Sequence, residues 1–315
     1  FCRKVSIPFS AYGFGNADNV RSIDYPDEKR SEGWTSGCFS ENPSNLIGSS
    51  VYLRELINSK MSKSEFSKAT KNILCLMDAW TYRYGYGYAS RNFYRPQSDS
   101  LSNTPLTEAL IASQSIINEF RRMNNLDIVN LCVVHDGDAD GINKYFAING
   151  RHDYFAIQAQ NVFLVDKKTK TQVPVPAVDD GVRIAVCSWL TKTTGVKIIG
   201  FYLTPNNHIK SALRHKLYNQ ELNALRNSDK NYEFYDAVSK YVKILKKDKY
   251  LESKNPGYES FFFLPGGNDL SVEEEEFEAP SKVTAASLTK AFSKYTKNRQ
   301  VNRVLVSRFI GMIAV

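Results

Sequence analysis

The chain has 315 residues, 42% of them apolar, and a formal net charge of +8. That is enough apolar material for a core in one large domain with an appendage, and too much for global disorder. No run of about eighteen apolar residues occurs, so no membrane-spanning helix is expected, and four scattered histidines exclude a histidine-rich metal centre.

The five cysteines, Cys2, Cys38, Cys75, Cys132 and Cys187, are odd in number and form no CxxC pair. Cys132 and Cys187 sit in apolar runs, so buried thiols in a reducing, cytoplasmic setting are expected rather than a disulfide frame. The first residue is Phe, with no signal segment after it. We read residues 1–4 as the tail of a helix whose beginning lies upstream.

Residues 5–14 (VSIPFSAYGF) predict a strand, ending at Gly15-Asn16. Residues 17–45 are rich in Asp, Glu, Ser, Gly and Asn and predict a long surface loop. A short strand is expected within 46–57. Residues 62–84 predict a helix. Ser62 and Glu65 have capping-box spacing, and Phe66, Ala69, Ile73, Met77 and Trp80 recur at helical intervals. The run 82–95 interleaves aromatic and basic residues and reads first as a tongue packed over the domain. The alternative is a surface that stacks bases or grips a partner protein.

Thr104-Pro105 opens a predicted helix reaching about Met123, with Thr104 as N-cap and Pro105 in the first turn. Residues 127–135 (DIVNLCVVH) are nearly all apolar and predict a strand covered on both faces. Residues 145–175 alternate and carry turn residues at Asn149-Gly150 and Lys167-Lys168-Thr169, as a hairpin-like insertion would. A helix over 178–194, a buried strand over 196–203, a helix over 206–226 and a strand over 260–264 follow. The order of strands and helices predicts an α/β fold with a mostly parallel sheet and helices on both faces. The expected organisation is one domain over 1–270 with insertions near 17–45, 82–100 and 145–175. An acidic linker over 271–281 and a basic helical segment over 282–315 complete it. The lysines of 240–254 and those after Lys282 read first as solvated helix faces. The basic C-terminal segment leaves a nucleic-acid or acidic partner open.

In parallel sheets ligands bind beyond the carboxyl ends of the strands, and there the sequence places Asp136-Gly137-Asp138-Ala139-Asp140-Gly141. Three carboxylates so close together repel, and a hard divalent cation relieves that. The loop is not an EF-hand, because Ala147 stands at the twelfth position, where a bidentate Glu is needed. An Asp/Gly turn whose carboxylates cap backbone groups is the plainer alternative. Thr104, at a loop–helix junction, adds a neutral oxygen ligand to Asp136 and leaves Mg²⁺ positions for water and a partner's carboxylate. His135, a lone strand-end histidine, reads as structural.

The run 102–110 (SNTPLTEAL), followed by a strand ending in Asp136-Gly137, resembles the second and third motifs of von Willebrand factor A (VWA) domains. That resemblance implies a Rossmann-like sheet and a metal-ion-dependent adhesion site. Mg²⁺, or Mn²⁺ or Ca²⁺, would be held by Thr104 and Asp136 and tuned or extended by Asp138 and Asp140. The first motif, DxSxS, is expected upstream of Phe1. Residues 1–9, 103–110, 127–137, 264–270 and 291–313 are similar to VWA proteins of tailed phages, especially those of marine cyanobacteria, and distantly to the VWA subunit of cobaltochelatase. The resemblance implies a protein-binding adaptor rather than an enzyme. Its partner would be an AAA+ ATPase of the MoxR type, and it would act in the host cytoplasm or the virion. Two other readings stay open: a metal-dependent hydrolase or nuclease using Asp136, Asp138 and Asp140, and a structural or nucleic-acid-binding virion protein. No HExxH or GxSxG motif is present.

Overall fold

The computed structural model describes residues 2–16, 46–47, 51–83, 104–136, 143–148, 151–156, 163–178, 180–226, 228 and 230–266. The chain divides into two compact units, one from residues 2–118 and 138–190, the other from 119–137 and 191 onward. The fold is mixed α/β, and no described helix is long and apolar enough to cross a membrane.

In the first unit a short 3-10 turn, Cys2–Val5, precedes strand β1, Ser10–Asn16. The strand expected from residue 5 therefore starts five residues late. Ser6 takes a left-handed φ of 58°, and Pro8 has no N–H to give to a ladder. β1 pairs antiparallel with β3, Val51–Asn58, in a sheet of its own rather than joining the parallel one. The pair is closed by Ser59, whose N–H donates to the Phe9 carbonyl at 2.8 Å and whose Oγ accepts from the Phe9 N–H at 3.1 Å.

Helix α1, Lys63–Arg83, begins as its sequence predicts. The Ser62 N–H donates to Glu65 Oε2 at 2.7 Å, and the Glu65 N–H donates to Ser62 Oγ at 3.2 Å. Donation from the Ser62 N–H, and after it from the Ser62 side chain, holds the Glu65 carboxyl below its ordinary range. Helix α2 spans Leu106–Asn124 and buries Leu106, Ala109, Leu110 and Ile117.

The insertion over 145–175 is two hairpins. β5, Asn143–Ile148, and β6, Arg151–Ala156, pair antiparallel, with β2, Leu46–Ile47, on the outer side of β5. β7, Phe163–Val165, pairs with β8, Gln172–Pro174. Helix α3, Gly181–Thr194, buries Ala185, Val186, Cys187, Trp189 and Leu190.

The second unit is built on a four-stranded sheet. Its order is β10 (Leu251–Ser253), β11 (Ser260–Pro265), β9 (Lys197–Thr204), β4 (Asn130–His135). β4, β9 and β11 run parallel, while β10 is antiparallel at its edge. One face carries Tyr202, Phe261 and Phe263 and is covered by Ile209, Leu213, Leu222, Phe234, Val238 and Leu245 from the following helices. Ile199, Phe201, Phe262 and Leu264 cluster on the other. At Gly200 a Cβ would lie 2.7 Å from Phe261 Cε2 and 3.0 Å from Tyr258 Cδ1, so only glycine leaves room for that ring.

Two expectations are corrected here. β4 is not covered on both faces. Among the described strands it is the sheet edge, and Cys132 and Val134 on one face are exposed while Val133 on the other is buried. The helix expected over 206–226 is two, α4 (Ile209–Lys216) and α5 (Gln220–Arg226). Leu217 turns extended to bury its side chain, and Asn219 Oδ1 then accepts the Leu222 N–H at 3.3 Å, capping the second piece. The lysine-rich stretch is largely helix α6, Asn231–Asp248, ended by Lys249 at a left-handed φ of 60°.

Candidate functional site

Three parallel strands of the second unit end at one rim. His135 at the end of β4 is level with Tyr202, and Thr204 at the end of β9 is level with Pro265 of β11. Asp136 follows β4 directly and is exposed. The rim is closed at β11 by the Gly266 N–H, which donates to the Thr204 carbonyl at 2.8 Å. In this arrangement each strand hands its next residue to the edge where ligands of parallel sheets sit.

Thr204 was not singled out from the sequence. It is 1% exposed, and its Oγ1 has no hydrogen-bond partner among the described residues. A buried hydroxyl without a partner is costly, so its place at the rim is notable. The only sequence signal was its position closing the apolar run 196–203.

His135 is held in the aromatic core. Its ring stands edge-on to Tyr202 at 5.2 Å and packs against Phe261 at 6.1 Å between centroids. That is the structural role expected of it.

Thr104 lies just ahead of α2, half-buried, in the first unit, whereas Asp136 belongs to the second. The hydrogen bonds at this helix start run to backbone oxygens. The Leu106 N–H donates to the Thr104 carbonyl at 2.7 Å and the Ala109 N–H to the Pro105 carbonyl at 3.0 Å. Asp138 and Asp140 lie outside the described residues, as do residues 84–95 of the aromatic–basic run, the acidic linker and the basic C-terminal segment.

Among the described residues no three His, Cys, Asp or Glu side chains gather as metal ligands would. A hard divalent cation takes about six or more oxygens, and Asp136 alone does not supply them. A metal at this rim would therefore need further oxygen donors or water beside Asp136.

Cys187 is fully buried, and desolvation pushes its thiol up to about 11 against the opposing pull of Arg183. Cys132, expected to be buried, is exposed on the same face of β4 as Val134. Compared with known proteins, the chain matches no family model, no curated protein and no solved structure.

Proposed function

We propose that the chain is a VWA-like, protein-binding adaptor that engages its partner through the carboxyl rim of the parallel sheet. The observation that carries this reading is the ending of β4, β9 and β11 at one edge, with Asp136 exposed there and the Thr204 hydroxyl buried beside Gly266 with no hydrogen-bond partner among the described residues. In the proposal Asp136 carries the charge of a Mg²⁺, Mn²⁺ or Ca²⁺ site, and Asp138 and Asp140 extend it along the same loop. Thr104 is proposed as the neutral oxygen donor on the strength of its motif alone. When bound, the ion would offer open positions to an acidic side chain of the partner. The class of partner we propose, from the resemblance, is an AAA+ ATPase of the MoxR type.

Calorimetric titration of Mg²⁺ and Mn²⁺ into the full chain and its Asp136→Ala form tests the metal. Heat that saturates with the unaltered chain and vanishes in the variant is expected. Equal, negligible heats in both would remove the ion from the proposal.

A further inference from the structure

We propose that the outer face of α6, with the adjoining ends of α4 and α5, binds single-stranded nucleic acid. This surface belongs to the second unit and is independent of the rim around Asp136.

Helix α6 turns Phe234, Ala237, Val238 and Leu245 into the core. The helical period then brings Tyr232, Tyr235, Lys243 and Lys246 to one exposed outer stripe. Tyr232 is 85% exposed, so its ring contributes almost nothing to packing. Tyr235 is also exposed, and the Arg214 guanidinium of α4 stacks on its ring at 4.2 Å. Arg226 of α5 donates to the Arg214 carbonyl at 2.8 Å, and its guanidinium lies 5.7 Å from the Phe234 ring. Two arginines are thereby held at this end of the helix, Arg214 on one face of Tyr235 and Arg226 near the buried Phe234, while the Tyr232 ring stands open.

The charge along this stripe is positive. The first two acids of the helix are matched by nearby lysines: Lys230, just before the helix, meets Glu233 at 3.3 Å and Lys240 meets Asp236 at 3.1 Å. Lys243, Lys246 and Lys247 continue along the exposed surface, with Asp248 at the far end. From Tyr232 to Lys246 the helix rises about 21 Å, a run several nucleotides long.

Exposed rings with adjoining lysines fit a strand whose bases are unstacked and whose phosphates are regularly spaced. A duplex hides its base faces and gives the tyrosines nothing to stack on. An acidic polypeptide would use the lysines but leave Tyr232 without a role.

The test is fluorescence anisotropy of the full chain with labelled oligothymidylate of about 20 nucleotides, long enough for site sizes of about 4–16. Salt is varied from about 50 to about 200 mM. The paired change Tyr232→Ala and Tyr235→Ala should weaken binding at least about five-fold, as loss of one base–ring stack does. Lys243→Glu with Lys246→Glu should weaken it and flatten the salt slope by about 1.4, about 0.7 for each lost phosphate contact. All four positions are exposed, and far-ultraviolet circular dichroism confirms that the variants fold. Undiminished binding in both variants, absence of binding, equal affinity for a duplex, or equally effective competition by polyglutamate would each overturn the proposal.

Discussion

Asp166 carries four donated hydrogen bonds on one carboxylate. They come from the Lys168 N–H at 2.9 Å, the Thr169 N–H at 3.3 Å, the Thr169 hydroxyl at 2.7 Å and Trp189 Nε1 at 3.1 Å. The first three shape the β7–β8 turn as an Asx-type loop, and the fourth ties that turn to α3. Donation to the charged form, the Thr169 hydroxyl foremost, draws the carboxyl down to about 2 from the ordinary 3.8. A depressed carboxyl contributes stability that is fully present above its unfolded pKa and is lost as pH falls through the folded one. Asp166→Asn should therefore lower the urea midpoint at neutral pH. The gap between the two proteins should close as pH falls from about 4 toward about 2. A gap that stays constant across that window would mean that charge has no part in holding the turn.

At the scale of elements, α1 shows how a local rule decides an end. The Ser62–Glu65 pair satisfies two backbone N–H groups that the first turn leaves open. Ser62→Ala removes one side of the box and should cost about 1 kcal/mol in chemical unfolding. Glu65→Gln keeps an acceptor for the Ser62 N–H and should cost less. Both ends of this argument were legible in the sequence, as was β9, whose apolar run is buried in the middle of the sheet. The expectation failed at β4 because an apolar run looks the same whether one face or two are covered. Among the described strands β4 is an edge, and that order is set by residues distant in the chain. The break at Leu217–Asn219 was hidden for a similar reason, since burial of Leu217 overrides a continuous helical pattern. Of the candidate site, the strand end at Asp136 was visible because an apolar run stopped at an Asp/Gly cluster. Thr204 was not, because a threonine at a strand end has no local mark.

At the scale of the whole chain, the parallel pairing of β4 with β9 joins residues 130–135 to 197–202, and the intervening stretch holds both hairpins and α3. A parallel pair needs a crossover of only about a dozen residues, so most of this connection exceeds what the sheet requires. The described pairings of β5 and β6 are with each other and with β2, in a sheet separate from that of β4, β9, β10 and β11. Loop-closure entropy also changes slowly with length, by about 0.6 kcal/mol per doubling. Replacing residues 143–156 with a short Gly/Ser linker should therefore abolish the β2–β5–β6 sheet and leave the four-stranded one standing. Hydrogen exchange read by mass spectrometry would show this as unchanged protection over 130–135, 197–204 and 260–265. If protection in those three strands collapsed together, the hairpin would be a structural part of the parallel sheet's unit, and the insertion reading of this stretch would fall.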